Sequence, residues 1–159
     1  MAAVLCFFRA YQGAGRSDTQ EMTHMKISPL SHLLLLRGLS LFSWMGVIFF
    51  FSSLYGSEYP YEPTLLYYME RKGAHVIEYA VLMLLSVRFA FALFPWGAVS
   101  RIVLLAAVFS VAYGVSDELH QFFVPYRGAK LSDVLIDASG VLLMGTIIMI
   151  AAYARKRNR

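Results

Sequence analysis

Apolar residues gather along the chain into four long blocks separated by short polar or aromatic stretches. The first block covers residues 37–55, where eighteen uncharged residues follow Arg37. At about 1.5 Å per residue, a helix of that length crosses a hydrocarbon layer of about 30 Å. The second block covers residues 72–94 and stops at Pro95, a residue that ends helices. The third covers residues 101–120. The fourth covers residues 133–154, ahead of the run Arg155-Lys156-Arg157-Asn158-Arg159. The pattern predicts an all-α fold, a polytopic membrane protein built as a bundle of four transmembrane helices. Lys26 and Arg37 ahead of the first block would also suit a signal peptide. Its long apolar stretch, with no Ala-x-Ala site after it, predicts an uncleaved helix. Residues 1–24 carry no sustained periodicity and are expected to be a disordered tail or a mis-assigned start, with residues 25–159 forming the membrane domain. Their Gly13-Ala14-Gly15-Arg16-Ser17 run has no preceding strand or following helix, so no phosphate loop is expected there.

Composition sharpens the class. The chain of 159 residues is 58% hydrophobic and only 15% charged, where a soluble domain carries about a quarter charged residues. The stretches between blocks are too short to enclose a second core. Nucleotide-binding α/β domains and large catalytic lobes are thereby excluded, and the single cysteine, Cys6, excludes a disulfide scaffold or thiol-rich metal site. The net charge of +4 would point to nucleic acid in a soluble protein; here it reads as topology, and no nucleic-acid partner is expected. With a cytoplasmic N-terminus, one side of the membrane holds ten cations: Arg9, Arg16, Lys26, Arg37, Arg88, Arg101, Arg155, Lys156, Arg157 and Arg159. The other holds four: Arg71, Lys72, Arg127 and Lys130. The excess predicts both termini inside, and eight against four remain if residues 1–24 are dropped. Arg37, Arg88 and Arg101 then lie near the inner helix ends, from where they can reach water. Tyr55, Tyr59, Tyr61, Tyr67 and Tyr68 fall at the outer headgroup level, where amphipathic rings concentrate.

The remaining ionisable groups crowd three outer helix ends. The second helix opens with Lys72, His75, Glu78 and Tyr79; the third closes with Asp117, Glu118, His120 and Gln121; the fourth opens with Asp133 and Asp137. Spacings of three and four place each set on one helical face. Ser110, Tyr113 and Gly114 continue the Asp117 face, and Gly140 continues the Asp137 face, as small residues do where helices approach closely in a membrane. A charged side chain at membrane depth costs roughly 2–4 kcal/mol, so such groups turn inward and pair. The outer end of the bundle is therefore expected to hold a site, with Arg127 from the loop between the third and fourth helices.

These motifs resemble those of the VanZ-like family of small bacterial membrane proteins. The resemblance rests on Lys72-x-x-His75-x-x-Glu78-Tyr79, Ser116-Asp117-Glu118-x-His120-Gln121, Pro125-x-Arg127 and Asp133-x-x-x-Asp137-x-x-Gly140, and covers about residues 30–154. Asp137 stands where Asn is the commoner residue. The resemblance implies a protein of the bacterial cytoplasmic membrane, in a family named for a link to teicoplanin resistance, with no firmly assigned reaction and hence no implied cofactor.

Several readings of the polar end stay open. In the first, an outward pocket binds a lipid headgroup, a lipid-linked cell-wall precursor or a glycopeptide-type drug without catalysis. Lys72 and Arg127 would meet phosphate or carboxylate there. In the second, His75, Glu78, Asp117, His120 and Asp133 supply mixed nitrogen and oxygen ligands to a catalytic metal in a hydrolase or phosphotransferase; no HExxH motif is present. In the third, the acids relay protons or ions, although four helices are few for a transporter, which leaves a homo-oligomer open. In the fourth, the groups form an interhelical network that only fixes packing. Met83, Met144 and Met149 are expected to face lipid or to pack, and Trp44 and Trp96 to pack or lie at the interface; His24 and His32 lie outside the cluster and no role is attached to them.

Overall fold

The computed structural model describes residues 29–55, 65–128 and 130–158. The expectations for residues 1–24, and for the side chains of Tyr59, Tyr61, Tyr67 and Tyr68, lie outside the described residues. Four helices follow one another up and down: α1 (Pro29–Ser52), α2 (Leu65–Leu93), α3 (Val99–Gln121) and α4 (Leu131–Arg157). All four are long and apolar enough to cross a membrane, over Ser31–Ser52, Arg71–Leu93, Val99–Gln121 and Leu131–Arg157. No strand occurs among the described residues.

The helices outrun the apolar blocks. α1 begins at Pro29, eight residues before Arg37, because proline is well placed in a first helical turn where its missing N–H is not needed. α2 begins at Leu65, so Glu70, Arg71 and Lys72 are helical although hydropathy ends near them. It ends just before the Phe94–Gly97 turn, closed by the Gly97 N–H donating to the Phe94 carbonyl at 3.0 Å. α4 carries Asp133 in its first turn and Arg155, Lys156 and Arg157 in its last, each sign of charge at the favourable end of the helix dipole.

α2 is the central element. Tyr79, Leu82, Met83 and Val87 are buried at spacings of three and four, against Leu41 and Ile48 of α1, Ile102 and Ala106 of α3, and Val141 and Ile148 of α4. The apolar residues alone do not mark which helix face turns inward, because the opposite faces carry Leu104, Leu105, Val108, Leu142 and Ile150, all exposed. Small and polar residues mark it instead. Ser110, Gly114 and Asp117 lie on the buried face of α3, and Asp137, Gly140 and Gly145 on that of α4. This is the packing logic of helices in lipid, where apolar surface is already solvated and close contact decides association. Gly140 is the closest approach: a Cβ there would run into the Val76 carbonyl of α2.

Arg37 departs from the sequence expectation. It does not reach to water but is buried, and its Nη1 donates to the Arg88 carbonyl across the α1–α2 seam at 3.0 Å. The cause is the longer α1, which places Arg37 two turns inside the helix instead of at its start. Arg88 and Arg101 are exposed on the bundle surface. Trp44 has the packing role expected of it, with its indole Nε1 donating to the Glu78 carbonyl at 3.0 Å.

Candidate functional site

The polar end is formed by the C-terminus of α1, the start of α2, the end of α3, the 122–130 loop and the start of α4. Its centre is a knot between α1 and α3. Ser52 Oγ donates to Asp117 Oδ2 at 2.6 Å. Gln121 Nε2 donates to Ser52 Oγ at 2.8 Å and to the same carboxylate oxygen at 2.9 Å. Arg127 Nη1 donates to the Ser52 carbonyl at 2.8 Å, a charged bond onto an acceptor left over at the end of α1. Beside it, Ser53 Oγ gives its hydrogen to the Phe49 carbonyl at 2.7 Å. The 3.1 Å contact between Ser53 Oγ and His120 Nε2 is therefore donated by the imidazole, whose ring stacks on Phe49 at a centroid distance of 4.5 Å.

A second set of contacts ties α2 to α4. His75 Nδ1 donates to Asp137 Oδ1 at 3.1 Å, and Lys72 Nζ lies 3.4 Å from Asp133 Oδ1. Close approach at Gly140 brings these partners within reach. The loop is fixed from α3, as Glu118 Oε2 accepts the Lys130 N–H at 2.9 Å. Tyr126 holds a left-handed backbone, φ 60°, which turns the chain so that Arg127 points back to Ser52.

Between these two seams lies a cavity of about 390 Å³, toward the small end of the range for small-molecule sites, about 300–1,000 Å³. Arg71, His75, Glu78, Asp117, Ser52 and Arg127 form its polar lining, with Ile48, Phe51, Leu54 and Ala74 as its apolar wall. Asp117 Oδ1 is buried and has no hydrogen-bond partner, whereas Oδ2 takes two.

Of the eleven residues expected at the site, His75, Glu78, Asp117 and Arg127 line the cavity. Lys72, Glu118, His120, Gln121, Asp133 and Asp137 hold its walls through the bonds above. Tyr79 lies deeper, fully buried in the core, with its ring 3.1 Å from where a Cβ on Gly114 would stand. The side chains offered as metal ligands divide among separate partners: His75 with Asp137, Asp133 with Lys72, and His120 with Ser53. Among the described residues no three His, Cys, Asp or Glu side chains converge on a point that could hold a metal ion. Three contributors are not marked by the sequence pattern. Ser52 and Ser53 bring α1 into the site, and the only signal was a pair of hydroxyls ending an apolar block. Arg71 had been counted only as a topological charge.

A four-helix bundle with an apolar exterior, and with the Lys72–Asp133 and His75–Asp137 pairs gathered at one end, is a small multi-pass membrane protein. The chain belongs to the VanZ/LLP1 family, whose sequence model matches residues 1–152. No curated protein and no solved structure matches it.

Proposed function

We propose that this VanZ/LLP1 protein resides in the bacterial cytoplasmic membrane with both termini inside, and that its polar cavity faces outward and binds a cell-envelope ligand without chemical turnover. The ligand is a lipid headgroup, a lipid-linked cell-wall precursor or an amphiphilic glycopeptide. The single observation carrying this reading is the cavity of about 390 Å³, lined by charged side chains on one side and by Ile48, Phe51 and Leu54 on the other. A network that served packing alone would close over its own interior. Here the hydrogen bonds run around an open space, and two guanidiniums and two carboxylates border it.

The test is a thermal-shift titration of the full chain in lipid nanodiscs with each of the three ligand classes. At a hundredfold excess over Kd, a ligand specific for the folded state stabilises it by about 2.7 kcal/mol. In a chain of this size, that raises Tm by roughly 5–10 °C. Glu78→Gln removes a lining charge without touching the α1–α3 knot and should abolish the shift. No shift with any of the three classes in the wild type refutes a binding pocket.

A further inference from the structure

Resting on that pocket reading, we infer that the occupant is a zwitterionic phospholipid headgroup carrying a primary ammonium, of the phosphoethanolamine kind. Charge pattern is the first ground. The cavity is bordered by Arg71 and Arg127 and by Glu78 and Asp117, while the nearby His75 is engaged with Asp137 and Lys72 with Asp133. The lining thus sets two cations against two carboxylates, and a ligand of net charge would upset that balance in a partly desolvated site, which is costly. A phosphate beside an ammonium matches both: guanidinium forks suit phosphate oxygens, and carboxylates accept from N–H.

The second ground is independent of the count of charges. Asp117 is 4% exposed, it lines the cavity, and its Oδ1 has no hydrogen-bond partner. A buried carboxylate oxygen without a donor is expensive. A primary ammonium brings three N–H donors, whereas a quaternary ammonium brings none and a glycerol head brings no positive charge. The third ground fixes the source of the head. Phe51 and Leu54 are about half exposed at the cavity wall, on a helix whose outer face is lined with Phe and Leu, so acyl chains can run down α1 while the head sits inside. The ligand is a lipid and not a free phosphoamine.

The experiment is native mass spectrometry of the full chain released from nanodiscs holding equal amounts of phosphatidylethanolamine, phosphatidylglycerol and phosphatidylcholine with the same acyl chains. Wild type should retain the ethanolamine lipid about tenfold over the other two, the factor set by one charged hydrogen bond. Asp117→Asn should erase that preference. Arg71→Gln, at an exposed position outside the α1–α3 knot, should weaken retention of all three lipids, since each carries the phosphate, while leaving the ethanolamine preference in place, and keeps the test open if the Asp117 variant does not fold. Equal retention of all three lipids overturns the inference. So does displacement of the lipid by glycerophosphoethanolamine at matching concentration, which would show that the chains contribute nothing. A thermal shift with a cell-wall precursor or glycopeptide, alongside equal lipid retention, would overturn this assignment and leave the pocket standing. Absence of both would remove the pocket as well.

Discussion

Replacing Gly140 with alanine adds one methyl at the tightest point of the α2–α4 seam. The new Cβ would collide with the Val76 carbonyl oxygen and lie 3.1 Å from the Val76 carbonyl carbon and 3.2 Å from the Ala80 nitrogen. All three are backbone atoms of a helix interior, so no side chain can rotate away; the helices must separate by about 1 Å to reach ordinary contact. Overpacking of this kind costs about 1–3 kcal/mol. The same displacement stretches the 3.1 Å His75–Asp137 bond beyond hydrogen-bonding range and widens the 3.4 Å Lys72–Asp133 contact. Loss of a hydrogen bond to a charged group costs a further 1.5–3 kcal/mol or so. Alanine returns about 1 kcal/mol through its higher helix propensity. The net loss is about 2–5 kcal/mol, or a fall in Tm of roughly 5–15 °C. Melting of the detergent-purified chain, followed by tryptophan fluorescence, measures it. Gly46→Ala and Gly73→Ala are internal controls, since a Cβ at either position meets nothing within 4 Å; both should melt at or slightly above the wild-type temperature. A Gly140→Ala protein that melts with the controls would refute the claim that backbone contact at Gly140 sets the α2–α4 distance.

Three further outcomes follow from the contacts described. Ser52→Ala removes the donor to Asp117 Oδ2 and the acceptor of Gln121; stability should fall by about 1–3 kcal/mol in the same melting assay, and an unchanged Tm would contradict a bonded α1–α3 knot. Tyr113→Phe deletes the 2.7 Å bond to the Met45 carbonyl and should cost about 1 kcal/mol, visible as a Tm fall of a few degrees. Membrane orientation is checked by impermeant maleimide labelling of intact cells in a Cys6→Ser background. Tyr126→Cys should be labelled and Ala98→Cys protected until the membrane is opened, and the reverse result would invert the topology.

Four spans, their order and the crowding of acids at one end were legible because a hydrocarbon layer imposes length and forbids stray charge. The helix starts were less so. Hydropathy reports where a chain leaves lipid, whereas α1 and α2 begin ahead of their uncharged blocks, at Pro29 and Leu65. Faces were readable on α3 and α4, where Gly114, Ser110 and Gly140 interrupt the apolar run, and unreadable on α1, whose inward Leu41 and Ile48 look like its outward Leu39 and Phe50. Ser52 was missed for a related reason. A hydroxyl is cheap in an apolar helix, so its presence carries little information until Asp117 and Gln121 are seen to meet it. The spacing of Tyr79 correctly put it on the face of His75, but the two diverge in depth, since the tyrosine packs under Gly114 while the histidine stands at the cavity.

Below the paired hydroxyls of Ser86 and Ser110, 3.4 Å apart, the described interior is mostly Leu41, Val87, Ile102, Ala106 and Ile148, all buried, with the buried Arg37 at its lower edge bonded to the Arg88 carbonyl. Such a layer is a poor path for hydrated ions. However much water or charge the upper chamber admits, an ion would have to shed its hydration completely to go further, at a cost of many kcal/mol. If the cavity opens outward as proposed, most of the membrane potential would drop across this layer, and Asp117 and Glu78 would share the electrical environment of the outer face. Occupancy of the chamber should be indifferent to the energised state of the cell, and abundant expression of the protein should not short-circuit the proton gradient.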